Sequence, residues 1–232
     1  MSFTPVRLIT IDLDDTVWPC AAVIARAEAE LLEWLRREAR SLAAEHDRDS
    51  LRGHGRAVAA RRPELAHDLT AVRTESLRQL LAQSGHSPDR AEEAAAVFLA
   101  ARNRVSPFPD VAPTLRALAE RYLLVSVTNG NADVDRTPLA GHFHLALTAA
   151  EVGAAKPAPD IFQAALRYAA VDPGRALHVG DDPVLDVEAA RRVGMRTAWV
   201  NRDGLEWPDE LHPPDLIVRD CRDLQDCLRH FA

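Results

Sequence analysis

A chain of 232 residues, 47% hydrophobic and 27% charged, holds enough apolar material for one large domain or for a core with a smaller second unit. Its formal net charge of −7 argues against a duplex-binding protein, which neutralises phosphates with clustered Lys and Arg, while a small anionic substrate stays compatible because a pocket's local potential outweighs the total. No uninterrupted apolar stretch is long enough to span a membrane, and Asp12, Asp14 and Asp15 stand where a signal peptide would need an apolar run.

Val6–Asp12 is a short apolar run with β-branched residues, ended abruptly by acids, and predicts a buried strand. Residues 19–105 have helical composition and no strand pattern. Ala22–Glu45, Glu64–Gln83 and Pro88–Arg104 each place apolar residues at helical spacing. The stretch is too long for a crossover and reads as an inserted all-helical cap domain, a lid hinged at Pro19 and at Pro107–Pro109. Asp110 is expected to N-cap a helix running through Glu120. Short apolar runs then follow at Tyr122–Thr128, Leu145–Thr148, Arg175–Val179, Arg196–Val200 and Asp215–Val218, with helical stretches at Pro159–Ala170, Asp186–Val193 and Arg222–His230. Such alternation predicts an α/β fold with a doubly wound, Rossmann-like parallel sheet. Residues 1–18 and 106–232 would form the core and 19–105 the cap. Cys20, Cys221 and Cys227 lack metal-type spacing and cannot all pair, so they read as incidental thiols of a reducing, cytoplasmic environment.

Asp12, Asp14 and Asp15 directly follow the first strand. At about 4 Å and an effective dielectric near ~20, each ionised pair costs roughly 4 kcal/mol, so the cluster needs a cation, retained protons or splayed side chains. The strand aims Asp12 at the sheet edge where open α/β folds bind ligands, which favours a site over a solvated turn. Gly180-Asp181-Asp182 repeats the arrangement after another apolar run, and Asp186 follows where helix capping is the plainer reading. Two sets of oxygen donors on separate strands suit a hard cation such as Mg²⁺. Thr128-Asn129-Gly130-Asn131 offers a hydroxyl and backbone N–H groups to phosphate oxygens, although Asn-Gly alone marks only a turn. Lys156, the one lysine of the chain, precedes Pro157 at a helix start.

Taken in order, Asp12-x-Asp14-x-Thr16, Thr128, Lys156-Pro157 and Gly180-Asp181-Asp182 with Asp186 resemble the motifs of the haloacid dehalogenase-like (HAD) hydrolase superfamily, and the helical insertion resembles that superfamily's cap of the first type. The resemblance spans nearly the whole chain. It implies a Mg²⁺-dependent phosphatase that hydrolyses a small-molecule phosphate monoester through an aspartyl-phosphate on Asp12. Asp14 would protonate the leaving oxygen and then activate water. Thr128 would bind the phosphoryl group with Asn129 supplying a backbone contact, Thr16 would support the geometry of the substrate-binding loop, and Lys156 would neutralise charge. Asp12, Asp14 and Asp181 would form the metal site, with Asp182 or Asp186 acting through water or orienting Lys156. The dehalogenating members generally lack an acid at the position of Asp14 and need no metal, so Asp14 favours phosphoryl chemistry. The cap contains no lysine for the Schiff base of the phosphonate-cleaving branch.

Pro63–Arg73, Thr128–Ala132 and His178–Asp182 resemble a bacterial subgroup that acts on flavin mononucleotide and a ribitylamino-uracil phosphate of riboflavin synthesis, which implies a flavin-pathway substrate. His67 and Arg73, read at helical spacing with Asp68, either contact the leaving group or belong to a polar network within the cap. Trp18 either stacks on an aromatic leaving group or packs the hinge. The competing readings are a sugar phosphomutase, a phospho-accepting receiver and a non-catalytic scaffold. The large insertion and Asp14 argue against a receiver, and the complete motif set argues against a scaffold.

Overall fold

A computed structural model describes residues 5–230; residues 1–4 and 231–232, which the sequence reading assigns to the core, lie outside the described residues. The chain divides into two units, Met1–Pro19 with Ser106–Gly130 and Pro138–Ala232, and Cys20–Val105 with Asn131–Thr137. β1 (Leu8–Ile11) opens the first unit. The second holds α1 (Cys20–Glu38), α2 (Arg40–Glu45), α3 (Arg48–Arg61), α4 (Leu69–Gln83) and α5 (Ala91–Arg102). The first unit resumes with α6 (Val111–Ala119), β2 (Leu123–Thr128), β3 (Leu145–Thr148), α7 (Ala149–Val152) and α8 (Asp160–Ala169). It ends with β4 (Ala176–Gly180), α9 (Ala189–Val193), β5 (Arg196–Val200), β6 (Leu216–Val218) and α10 (Cys221–His230).

The strands form one parallel sheet in the order β3-β2-β1-β4-β5-β6. This is the doubly wound α/β architecture that the alternation of strands and helices predicts. β1 is buried at every position, which explains its continuous apolar run: a parallel sheet covered on both faces has no solvent side. Thr10 is tolerated there because its register partner on β4, His178, shares a 2.8 Å hydrogen bond with its hydroxyl. Leu8, Val125 and Val127 pack with Ile161, Phe162 and Ala165 of α8 and with Ala189 and Ala190 of α9, while α6 packs against β2 and α10. Sequence order runs outward from β1 in both directions, so the switch point where such sheets bind ligands lies at the carboxyl end of β1.

In the helical unit, Ala27, Leu31, Trp34 and Leu35 line one face of α1 and pack with Leu77, Leu80 and Leu81 of α4 and Ala94, Ala95 and Phe98 of α5. The continuous helix expected over Ala22–Glu45 breaks at Ala39, whose φ of −146° is not helical. α3 buries only Val58, too sparse an apolar face to stand out in the sequence. Asp110 does not cap α6 with its side chain. Its carboxylate pairs with Arg202 at 2.9 Å and accepts the Cys221 N–H at 2.9 Å. Residues 131–137, assigned from sequence to the core, group instead with the helical unit. The Asn131 amide donates to Thr70 Oγ1 at 3.1 Å, and the Asp133 N–H donates to Asn103 Oδ1 at 2.9 Å. Among the described residues, no helix is long and apolar enough to cross a membrane.

Candidate active site

Asp12 continues the ladder one residue past β1, its N–H donating to the Val179 carbonyl at 2.9 Å. This fixes its carboxylate at the carboxyl edge of the sheet. Lys156 Nζ lies 2.5 Å from Asp12 Oδ1, 2.6 Å from Asp186 Oδ1 and 3.3 Å from the Val127 carbonyl. All three side chains are buried, that of Lys156 to 3% exposure. The Lys156 backbone is clamped by Asn129, which accepts its N–H at 2.7 Å and donates to its carbonyl at 2.9 Å. The Asn129 side chain therefore braces Lys156, a role the sequence reading did not give it. Thr128 Oγ1 accepts the Gly130 N–H at 2.9 Å, which leaves the hydroxyl's own proton to be donated.

Asp186 Oδ2 accepts the Asp182 N–H at 3.0 Å, and Oδ1 lies 3.2 Å from His178 Nε2. Of the two acids left open by the sequence, Asp186 is the one paired with Lys156. Asp182 caps the following turn by accepting the N–H groups of Val184 and Leu185 at 2.7 and 2.8 Å. Sequence reasoning named His178 only as part of a motif. Buried on β4, it meets the Phe162 ring edge-on at 4.9 Å, and burial lowers its pKa below the usual range. Asp186 only accepts, so Nε2 carries a proton towards it, while Nδ1 pairs with the Thr10 hydroxyl. A histidine inside an apolar strand, in register with a threonine, was the available signal. Gly180 permits the approach of Asp186, since a Cβ there would fall inside the van der Waals envelope of the Asp186 carboxyl. Gly180→Ala is expected to lower stability by about 1–3 kcal/mol and to reduce activity by displacing Asp186, as read from denaturant midpoints alongside turnover.

The turn after Asp12 is pinned from several sides. The Thr16 hydroxyl, fully buried, donates to Asp181 Oδ1 at 2.8 Å, and the Thr16 carbonyl accepts from Arg202 at 3.0 Å. Thr16 therefore orients Asp181 and is not exposed to a substrate. Trp18 is likewise 0% exposed, which removes it as a stacking platform. Its indole N–H donates to Asp14 Oδ1 at 2.8 Å. Asp14 itself is half-buried and stands apart from the carboxylate group of Asp12, Asp181 and Asp186, whose ligand atoms lie within 4.8 Å of one another.

One ammonium faces these three carboxylates. Burial, the Lys156 charge opposing it, then Asp186 and Asp181 leave the Asp12 carboxyl well above its usual range. Burial and then Asp186 push Asp181 up to about 7. Burial alone would lower Lys156, but Asp12 and Asp186 outweigh it and hold the ammonium protonated. The cluster is short of positive charge, and its donors are all oxygen. Asp12 and Asp181 thus fit a hard divalent cation, while Asp186 is occupied by Lys156, His178 and a backbone amide.

His67 and Arg73 lie in the helical unit. His67 precedes α4 rather than sharing its face, because Asp68 is the N-cap, accepting from Thr70 and Ala71 at 2.9 Å. The Arg73 guanidinium stacks 3.5 Å from the Phe98 ring centroid, and burial lowers its pKa to about 10.

The family model for haloacid dehalogenase-like hydrolases matches residues 6–194. The chain is 33% identical over 222 residues to 5-amino-6-(5-phospho-D-ribitylamino)uracil phosphatase YigB of Escherichia coli, covering 92% of this chain and 93% of that one. It is 40% identical over 153 residues to a phosphoserine phosphatase of Thermus thermophilus, covering 63% and 61%. Among solved structures, a 2-haloacid dehalogenase from Pseudomonas syringae superposes with a TM-score of 0.90 at 39% identity, covering 98% of this chain and 100% of that one.

Proposed function

The chain belongs to the haloacid dehalogenase-like hydrolase family and is a hydrolase, and from that premise we propose that it is a Mg²⁺-dependent phosphatase of a small-molecule phosphate monoester. The observation that carries the reading is the buried Asp12–Lys156–Asp186 triad at the switch point, with Asp181 beside it and Asp14 two residues from Asp12. A carboxylate nucleophile splits one hard hydrolysis into two displacements. Asp12 attacks phosphorus, the ester P–O bond breaks, and Asp14 gives the leaving oxygen its proton. Asp14 then takes a proton from water as that water attacks phosphorus; the bond to Asp12 breaks and inorganic phosphate leaves. The Lys156 ammonium and the Thr128 hydroxyl stabilise charge on the phosphoryl oxygens. Asp12 and Asp181 would hold Mg²⁺, which when bound supplies further positive charge there.

The YigB relative, matched over most of both chains, supports a ribitylamino-uracil phosphate or the chemically related flavin mononucleotide as substrate. A second reading, dehalogenation of a 2-haloacid, is favoured by the Pseudomonas structure. Asp14 speaks for the first, since displacement of halide needs no proton donor. The test is free phosphate released from flavin mononucleotide, ribitylamino-uracil phosphate, phosphoserine and sugar phosphates, beside halide released from 2-chloropropionate. Phosphate release is expected with Mg²⁺, lost on chelation and lost in Asp12→Ala. Halide release without phosphate release would reverse the assignment.

A further inference from the structure

Resting on the phosphatase reading, we propose that Trp18 is a positioning residue for Asp14, its indole N–H fixing the carboxyl that serves the leaving group. The two residues sit in a closed turn. The Asp15 N–H donates to the Trp18 carbonyl at 2.8 Å, the Val17 N–H donates to the Leu13 carbonyl at 2.9 Å, and a bridge joins Asp14 to Trp18. Asp15 adopts a φ of 60°, the left-handed conformation that folds the chain back here. Outside the turn, Phe108 N–H donates to the Val17 carbonyl at 2.9 Å, and Arg202 grips the Thr16 carbonyl. The indole therefore belongs to a buried, immobile frame, while Asp14 is the half-buried side chain it holds.

An aspartate carboxyl turns about two torsions, and a 2.8 Å N–H···Oδ1 contact restrains both. Oδ1 accepts the indole N–H, so the buried indole sets the orientation of the whole carboxyl group. A general acid must be within hydrogen-bond reach of the oxygen it protonates, and small misplacements reduce rates steeply. Trp18 contributes by holding the Asp14 carboxyl in one orientation without touching the substrate.

Such a role has a signature that loss of structure lacks. Protonation matters most when the leaving oxygen is basic, as in an alkyl phosphate, and least for 4-nitrophenyl phosphate, whose leaving group departs as an anion. kcat/KM reports the first displacement, where the leaving group is expelled. In Trp18→Phe, which keeps the buried ring and removes the N–H, the ratio of kcat/KM for glycerol phosphate to that for 4-nitrophenyl phosphate is expected to fall at least ten-fold, in the direction given by Asp14→Asn. Circular dichroism and thermal melting of both variants report their folding. A ratio equal to that of the unmodified chain, whether both constants fall together or neither falls, overturns the proposal. Failure of the phosphatase reading is seen separately, as a lack of Asp12-dependent hydrolysis of either ester by the unmodified chain, and the proposal falls with it.

Discussion

Lys156→Met is expected to abolish turnover and to lower the free energy of unfolding by about 3–5 kcal/mol, the range for removing one partner of a buried ion pair. The ammonium is 3% exposed and stands between two carboxylates at 2.5 and 2.6 Å. Methionine fills the volume but leaves both acids buried against one another. The loss should depend on pH with a definite sign. Burial would raise Asp186, but Lys156 and the His178 contact outweigh it and hold the carboxyl well below its usual range. That stabilisation is present above the unfolded carboxylate pKa near ~3.9 and is lost as pH falls. Without Lys156, burial raises both carboxyls, and the folded variant binds protons that the unfolded chain releases. Its stability is then best at low pH and declines as pH rises through the raised values. The gap between the two proteins should widen as pH rises above about 4, as urea titrations would show. Lys156→Met/Asp186→Asn should recover part of the stability and none of the turnover. Recovery of both would remove Lys156 from the chemistry.

The sequence reveals the elements whose physics is local or periodic. β1, β2 and β4 read as strands because burial on both faces makes their runs largely apolar, and acids after β1 and β4 mark the edge where the site lies. The partnerships within the site are another matter. Asp181, Asp182 and Asp186 look alike in a row of letters. Only the fold shows that one stands with Asp12, one is consumed as a cap, and one is the counter-ion of Lys156. The Asn129 side chain and the Thr16 hydroxyl make long-range bonds, to Lys156 and Asp181, that no spacing rule encodes. Trp18 shows the same limit. An aromatic after such a loop is open to stacking or to packing, and its complete burial shows only in the fold. His178 is a polar residue in an apolar strand, and its meaning depends on Thr10 in register beside it.

Asp12→Asn should separate function from stability where Lys156→Met joins them. Asparagine keeps the volume and an oxygen for the Lys156 ammonium, and the Lys156–Asp186 pair is left intact. It removes the charged oxygen that attacks phosphorus, so turnover should fall by at least about 10⁴-fold, the scale seen when a covalent nucleophile is deleted. No phosphorylated protein should be trapped on acid quenching with ³²P-labelled substrate, whereas the unmodified chain should yield it. Stability should move the other way or hardly at all. The Asp12 carboxyl lies well above its usual range because burial disfavours its charge. An acid whose pKa is raised on folding stabilises the fold only at low pH, and that contribution is lost as pH rises through the raised value. Once ionised, Asp12 is therefore a cost to the fold, and a neutral amide relieves it. Unfolding free energies at about pH 7 should agree to within ~1 kcal/mol or favour the variant, as at sites where function is bought with stability. A variant that unfolds readily would mean that Asp12 is a structural counter-ion to Lys156. A variant that still turns over would remove it as the nucleophile.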